Sequence, residues 1–160
     1  MTARVRSLLI AILVAGSLAL SGAAGAEDVK VPYWASIRPD ELNMRVGPGE
    51  EYQIKWVYHR QHLPLKVLRL KEAWRYVRDP DGAEGWVHQR FLTRQRGAYV
   101  TGSGPADMRE SGDGGAKLLW RLAPGVVALL GDCANGWCAV NVAERKGYVA
   151  QSRLWGAGEP

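Results

Sequence analysis

The chain has 160 residues, a formal net charge of +5 and 23% charged residues. This length allows one ordinary domain or two very small ones. Neither half carries the stripe of basic side chains that nucleic-acid binding requires, so we expect no nucleic-acid partner. The chain has seven tryptophans and one phenylalanine. Because tryptophan is enriched at binding surfaces, the position of each tryptophan bears on where a ligand could bind.

The first 26 residues have the three parts of a secretory signal peptide. Arg4 and Arg6 precede an apolar run over residues 8–20, and small residues of the form Ala-x-Ala follow at 24–26. The run is shorter than the roughly 20 residues that a membrane span needs. We therefore expect cleavage after Ala26, no stable membrane span afterwards, and export to the periplasm or cell envelope, where disulfides persist.

Residues 32–93 alternate between short strand patterns and turn signals, without a helical period. Gly47-Pro48-Gly49 marks a long loop. In Asp79-Pro-Asp-Gly82 the proline and the glycine hold the positions that a type I turn prefers. The predicted strands of this unit are residues 32–37, 55–59, 65–70, 73–78 and 84–88.

Residues 98–156 form a second copy of the same unit. A shift of 64 residues aligns Met44-Arg45 with Met108-Arg109 and Trp56 with Trp120, and the match continues beyond them with two single-residue gaps. Five short strands in about 60 residues are typical of a small closed barrel, so we predict an all-β fold of two barrels in tandem. The predicted strands of the second unit are residues 98–101, 117–122, 126–131, 137–141 and 146–150.

The two cysteines of the chain, Cys133 and Cys138, flank Asn135-Gly136. Asn-Gly is the strongest two-residue hairpin signal, because both central residues of a type I′ turn need positive φ. Such a turn places the cysteines opposite each other, at a Cα separation that a disulfide accepts. A metal site would need two more ligands, and a redox pair usually has the form Cys-x-x-Cys at a helix start. We therefore predict a disulfide that closes the hairpin.

Five short motifs occur together in the first unit: Leu42-Asn-Met-Arg45, Gly47-Pro-Gly49, Trp74 to Val77, Asp79-Pro-Asp-Gly82 and Gly85-Trp-Val87. With this set of motifs the first unit resembles the bacterial SH3-like domain. The second unit is similar but more diverged, since Ser111-Gly-Asp113 replaces Gly-Pro-Gly and the Asp-Pro-Asp-Gly turn is missing. The resemblance implies SH3-like barrels at 32–93 and 98–156 and a binding or targeting role, often toward peptidoglycan or short peptides, without catalysis by the domain itself.

Four aromatic residues of the first unit are candidates for a ligand groove. If Val77 lies in the core, Trp74 and Tyr76 lie on the opposite face of their strand. Tyr52 and Tyr58 could join them to line the aromatic groove that SH3-like barrels use for ligands. The alternative is that these rings cover the other barrel or cap a core too small to enclose them.

The second unit offers weaker candidates. Trp137 holds the place that matches Trp74, but Ala139 stands where the first unit has a tyrosine, so a groove here would be poorer in aromatic rings. Arg45 and Arg109 occupy the same place in the two units. Each either orders the long loop beside it or holds a ligand carboxylate with two hydrogen bonds.

No combination of residues predicts catalysis. His59, His62 and His88 are expected to be surface histidines, because a zinc site needs three or four convergent ligands. No nucleophile is paired with a base, so we expect no catalytic residue, no metal and no cofactor. The predicted function is a non-catalytic exported module that binds peptidoglycan or short peptides of the cell envelope. The alternative is a scaffold or regulator that binds a cell-wall enzyme.

Overall fold

The computed structural model describes residues 29–160, so the predicted signal peptide at 1–26 lies outside the described residues. The first unit has seven antiparallel strands, in the sheet order β3-β2-β6-β5-β4-β1-β7, and a short 3₁₀ helix at Gln89–Phe91. The strands are β1 (Tyr33–Ile37), β2 (Leu42–Arg45), β3 (Ile54–Tyr58), β4 (Pro64–Lys71), β5 (Trp74–Arg78), β6 (Glu84–His88) and β7 (Leu92–Thr93).

The second unit has the same topology, with the sheet order β10-β9-β13-β12-β11-β8-β14. Position by position this is the order of the first sheet, so the duplication seen in the sequence holds for the fold. The prediction of an all-β chain with two small β units in tandem is confirmed. The strands are β8 (Gly97–Val100), β9 (Ala106–Arg109), β10 (Leu118–Leu122), β11 (Val127–Ala134), β12 (Trp137–Val142), β13 (Arg145–Ala150) and β14 (Leu154–Trp155).

Each unit has its own apolar core, built from alternate residues of its strands. In β2, Leu42 and Met44 are buried while Asn43 and Arg45 are half-buried. This period of two is what a sheet with one face toward a core requires. The first core consists of Ala35, Ile37, Leu42, Met44, Tyr58, Leu63, Leu65, Val67, Val77 and Val87. The second consists of Ala98, Val100, Ala106, Met108, Leu122, Ala128, Cys138, Val140, Val149 and Leu154.

The glycines of the repeated Gly-Trp-Val and Gly-Tyr-Val motifs are explained by a close approach of two strands. A Cβ on Gly85 would lie 2.6 Å from Met44 Cγ and 2.8 Å from the carbonyl oxygen of Arg45. A Cβ on Gly147 would meet the matching atoms of Met108 and Arg109 at 2.7 and 2.8 Å. Only glycine lets the methionine of one strand pack against the backbone of the neighbouring strand. Both units therefore have a glycine opposite a methionine at this place.

Strands β2 and β9 differ from the sequence prediction, which has no strand at these places. Each has only four residues, and polar residues such as Asn43 and Arg45 have weak strand preferences. The strand exists because β2 pairs with β3 on one side, with Leu42 opposite Tyr58, and with β6 on the other. Pairing with residues far along the chain therefore supplies what local preference lacks. The two-residue strands β7 and β14 are also absent from the prediction.

The hairpin between β11 and β12 has the predicted geometry. Asn135 and Gly136 both have positive φ, at 51° and 79°, and Cys133 lies opposite Cys138 in the strand register. The two cysteines form a disulfide across a Cα separation of 4.0 Å. The prediction of a hairpin disulfide is confirmed.

The two units pack against each other. Trp34 of β1 meets Trp155 of β14 edge to face, with ring centroids 4.6 Å apart, and its indole N–H donates to the carbonyl oxygen of Gly158 at 3.1 Å. Tyr99 and Val127 of the second unit pack against the core of the first. The contact thus combines aromatic, polar and apolar groups, so the two barrels are packed together as well as joined by the chain.

Candidate functional site

The candidate site is a cleft of about 380 Å³ on the first barrel, which we call the Arg45–Trp74 cleft. Strand β2 supplies Asn43 and Arg45 from its outward face, β5 begins with Trp74, and β6 ends with His88. The loop after β2 and the 3₁₀ helix supply the remaining walls. The lining residues are Glu41, Leu42, Asn43, Arg45, Glu50, Trp74, His88, Arg90 and Phe91.

Aromatic side chains form one wall of the Arg45–Trp74 cleft. Trp74 and His88 are cross-strand partners, and their rings meet edge to face at 5.3 Å. His88 also lies 6.2 Å from the ring of Phe91, and its Nδ1 accepts a hydrogen bond from the backbone N–H of Arg90. The imidazole is therefore held in place between two rings, so that its edge forms part of a rigid surface.

Charged side chains of both signs also line the cleft. Arg90 Nη2 lies 3.3 Å from Glu50 Oε1, and Glu41 lies 3.5 Å from His59 Nδ1, just outside the cleft. These pairs are exposed, so each adds little to stability. Water and a ligand can compete for them. A cleft with an aromatic wall and both charge signs suits a ligand that carries polar ends on a compact body.

Arg45 makes the loop-ordering contact that is one of the two roles considered from the sequence, while a contact with a ligand carboxylate stays a prediction. Its Nη1 donates to the carbonyl oxygen of Tyr52 at 2.6 Å, which ties the long loop to β2. The same side chain lines the cleft. Tyr52 is 42% exposed, and its ring lies on the backbone of Gly47. Arg45 therefore orders the loop and also presents a charge to the cleft, while Tyr52 belongs to the loop.

Tyr76 lies on the same outward face as Trp74, as predicted from Val77, which is fully buried. Its ring packs 5.2 Å from that of Trp86, and the Arg69 guanidinium lies 4.0 Å above it. The Tyr76 hydroxyl donates to Glu84 at 3.0 Å. Hydrogen bonds from Arg78 first, and then from Tyr76, hold the pKa of the Glu84 carboxyl below its usual value. Tyr76 thus belongs to an ordered stack beside the cleft.

Tyr58 lies in the core of the first barrel and does not line the Arg45–Trp74 cleft. It is 6% exposed, and its hydroxyl donates to the buried carboxylate of Asp79 at 3.0 Å. Asp79 in turn accepts from the backbone N–H groups of Asp81 and Ala83, which closes the Asp-Pro-Asp-Gly turn. Burial first, and then the negative charge of Asp79, raise the pKa of the Tyr58 phenol. The buried Asp79 carboxylate is thus the acceptor that holds the Tyr58 hydroxyl inside the barrel.

Trp74 is nearly buried although it faces away from the core, being 9% exposed. The His88 ring lies edge to face against the indole, so Trp74 is partly covered by its own barrel. It also lines the Arg45–Trp74 cleft. Trp74 is thus better described as the floor of the site than as a free aromatic platform.

The matching place on the second barrel has its loop close to the base of Trp137. A Cβ on Gly112 would lie 3.2 Å from the Cβ of Trp137, although Trp137 is half-buried and so less buried than Trp74. Arg109 Nη1 donates to the carbonyl oxygen of Ala116 at 2.8 Å, the equivalent of the contact of Arg45. Arg109 also pairs with Asp107 at 2.7 Å. Both second-unit candidates therefore have local partners.

Several lining residues of the cleft are not among the site residues predicted from the sequence. Asn43 could have been found, because it alternates with Leu42 and Met44 in a strand. Glu50 and Arg90 gave no signal, since they lie 40 residues apart and meet only in the folded barrel. His59, His62 and His88 do not converge, and residues 29–160 contain no cluster of three or more potential metal ligands. Within the same residues no helix is long and apolar enough to cross a membrane.

Comparison with known proteins agrees with the tandem fold. A family model described as bacterial SH3 domain matches residues 38–93 and again residues 102–156, so the resemblance and the tandem arrangement are confirmed. The chain is also 25% identical over 135 residues to YrvJ of Bacillus subtilis (strain 168), by its name a proposed N-acetylmuramoyl-L-alanine amidase. The match covers 78% of this chain but only 26% of that relative, so the chain spans about a quarter of its length.

Two solved structures, both from Trichomonas vaginalis, are similar at a lower level. NlpC2 has a TM-score of 0.36 at 10% identity, covering 79% of this chain and 49% of its own. NlpC1 has a TM-score of 0.36 at 9% identity, covering 81% of this chain and 47% of its own. At this TM-score neither likeness supports an inference about function.

Proposed function

The chain belongs to the bacterial SH3 domain family, and from this premise we propose that it is a non-catalytic binding module of the cell envelope. Its ligand is peptidoglycan or a short envelope peptide, and its binding site is the Arg45–Trp74 cleft. The name of the relative YrvJ supports this choice, because an N-acetylmuramoyl-L-alanine amidase acts where sugar and peptide of the wall are joined. An exported location, in the periplasm or envelope, fits the Cys133–Cys138 disulfide.

The observation that carries the proposal is the contrast between two equivalent places. On the first barrel the place beside Arg45 is an open cleft with an aromatic floor and charges of both signs. On the second barrel Arg109 is paired with Asp107, which stands where the first barrel has Asn43. Both barrels keep the same fold, so an arginine without an ion pair among the described residues is not needed for folding. Ligand binding explains why Arg45 keeps its charge available.

Co-sedimentation with isolated peptidoglycan sacculi tests the proposal, using residues 27–160. The internal repeat supplies a matched pair of variants, Arg45→Ala and Arg109→Ala. Each removes an arginine that holds a loop carbonyl, so the structural costs are similar. We expect the unchanged chain and Arg109→Ala to pellet with sacculi and Arg45→Ala to remain in the supernatant, because arginine–carboxylate contacts are strong and directional.

A second pair of variants changes the cleft while keeping Arg45 and its hydrogen bond to the loop carbonyl. Arg90→Ala removes a charge from the cleft wall, and Arg145→Ala removes an exposed arginine on the second barrel, where it lies over Trp120. Pelleting should weaken for the first and stay unchanged for the second. Trp74→Ala is a poor test, because removing a nearly buried tryptophan costs about 3–5 kcal/mol and the barrel itself is at risk. Equal pelleting of all four variants would refute the cleft as the site.

A protein partner is the second candidate, and one observation favours it. Strands β3 and β10 are the edge strands of their sheets, and they expose Trp56 by 57% and Trp120 by 48%. These tryptophans hold the same place in the two repeats. An exposed edge strand with a large apolar side chain can pair with a strand of another protein. A chain that fails to pellet with sacculi but captures one cell-wall enzyme at equal stoichiometry would support this candidate as the scaffold or regulator.

A further inference from the structure

A second cleft, of about 740 Å³, lies where the two barrels meet, and we call it the inter-barrel cleft. The first barrel contributes Arg60 and His62, and the second contributes Val127, Asn141 and Glu144, among other residues. This volume is in the range of known small-ligand sites, which often lie at domain interfaces. Nothing in the Arg45–Trp74 cleft explains it, because the two clefts share no residue.

Backbone strain is concentrated at the inter-barrel cleft. Among the described residues, five that are not glycine have positive φ, and three of them line this cleft. They are His62 at 62°, Ala143 at 47° and Glu144 at 68°. The last two form the turn between β12 and β13, where asparagine and glycine would be favoured. Residues in such conformations persist at a cost in free energy, and they cluster at functional sites.

Polar atoms without a partner are concentrated there as well. Within residues 29–160, four buried side-chain atoms make no hydrogen bond, and His62 Nδ1 and Asn141 Oδ1 are two of them. Both residues line the inter-barrel cleft, one from each barrel. Buried polar groups are almost always paired, so each of these atoms marks an unused hydrogen-bonding capacity beside the cleft. The strain and the missing hydrogen bonds are independent observations that coincide at one place.

The charges of the inter-barrel cleft indicate the ligand. Arg60 Nη1 donates to the carbonyl oxygen of Gly125 at 2.5 Å, which leaves the rest of the guanidinium without a recorded partner in the described chain. Glu144 is in no ion pair with the other described residues. A cation from one barrel and an anion from the other therefore border the same space, and Val126 and Val127 give it an apolar wall.

We propose that the inter-barrel cleft binds a short peptide with a free carboxylate and a free amino group. In this proposal Arg60 is the partner of the carboxylate, Glu144 is the partner of the ammonium group, and Val126 and Val127 contact small alkyl side chains. The cell envelope as the source of such a peptide rests on the proposed function, whereas the binding itself does not. The opposite charges of the site suit a zwitterion better than a simple anion or cation.

Nuclear magnetic resonance of ¹⁵N-labelled residues 27–160 tests the proposal with trialanine as the probe. We expect saturable shifts of the backbone amides around His62, Val127 and Glu144. N-acetyltrialanine and trialanine amide each lack one charge, and each should bind about tenfold more weakly, because a hydrogen bond between charged groups is lost. Shifts confined to the Arg45–Trp74 cleft, or equal binding of the blocked peptides, would overturn the proposal.

The variant Glu144→Gly separates binding from folding. Glycine accepts positive φ without strain, so the variant should be more stable than the unchanged chain, yet it should bind trialanine about tenfold more weakly because the anion is gone. Loss of binding by a more stable protein cannot be due to misfolding. Glu144→Gln, which keeps the side-chain shape, should lose binding to the same extent.

Glu72→Gly is the matched control. Glu72 also has positive φ, at 51°, in the turn between β4 and β5, and it does not line the inter-barrel cleft. This variant should gain stability in the same way and bind trialanine unchanged. Unchanged binding by Glu144→Gly would overturn the proposal. Failure of the chain to pellet with sacculi would count against the proposed function alone, since the peptide titration does not use the wall.

Discussion

Tyr58 shows how one buried acceptor decides the place of an aromatic ring. Its strand, β3, is otherwise exposed along its length, and Tyr58 is its one buried residue. The hydroxyl is within hydrogen-bond reach of Met44 Sδ as well as Asp79 Oδ2. The ring thus fills the core while its polar end is satisfied by the turn. In the second barrel Leu122 takes the matching core position, and the turn there has no buried aspartate.

Tyr58→Phe should change how stability depends on pH. At neutral pH the variant loses one hydrogen bond to a charged group, which costs about 1–3 kcal/mol. The pKa of Tyr58 is raised in the folded chain, whereas an unfolded tyrosine ionises near pH 10. Above about pH 10 the unfolded state therefore binds fewer protons than the folded state, and the free energy of unfolding falls as pH rises.

Urea unfolding between pH 7 and pH 11 measures this effect. The contribution of Tyr58 is present in full below about pH 10 and is lost above it. The curve of the unchanged chain should therefore approach that of Tyr58→Phe in the alkaline range. Two curves that stay parallel to pH 11 would mean that Tyr58 ionises as it does in the unfolded chain.

At the scale of elements, the β11–β12 hairpin shows how two copies of one element are stabilised differently. In the first barrel the matching cross-strand pair is Leu70 and Arg75, and Leu70 is exposed. In the second barrel the pair is Cys133 and Cys138, of which Cys138 is fully buried. The second barrel thus joins covalently what the first holds only by strand pairing.

Reduction of the disulfide should destabilise the second barrel by about 2 kcal/mol, because the bond closes a short loop in the unfolded chain. Thermal unfolding with and without dithiothreitol measures the loss as a lower melting temperature. The double variant Cys133→Ala/Cys138→Ala should melt at the reduced temperature and be insensitive to the reductant. An unchanged melting temperature on reduction would show that the hairpin is held by strand pairing alone.

At the scale of the whole molecule, we expect the contact between the barrels to make them one cooperative unit. Trp34 and Trp155 are in contact, the Trp34 indole N–H is bonded to Gly158, and Arg96 donates to the carbonyl oxygen of Gly156 at 2.5 Å. A domain of about 60 residues is marginally stable by itself. Packing of one barrel on the other therefore supplies apolar burial that each lacks.

Calorimetry tests this cooperativity. We expect one unfolding transition whose calorimetric enthalpy equals the van't Hoff enthalpy. Trp34→Ala removes the aromatic pair and a hydrogen bond, which should cost about 2–3 kcal/mol and split the transition in two. Trp56→Ala is the matched control, since Trp56 is 57% exposed and its loss should leave one transition. Two transitions in the unchanged chain would contradict the coupling.

The sequence by itself determined what depends on neighbours along the chain. Alternation of apolar residues located the longer strands, Asn135-Gly136 and the flanking cysteines located the disulfide hairpin, and the shift of 64 residues revealed the repeat. Each of these features arises within a few residues, because turn chemistry and the period of a strand are local. The fold class and the family resemblance followed from them.

Only the tertiary structure decided what depends on residues far apart in the chain. Strand β2 forms because it pairs with β3 and β6. Tyr58 lies in the core with its hydroxyl bonded to Asp79, and the His88 ring packs on Trp74. The tertiary structure also brings Arg60 and Glu144 to one cleft from different barrels. The physical reason is the same in each case: a side chain's surroundings are set by close packing with partners whose distance along the chain carries no periodic signal.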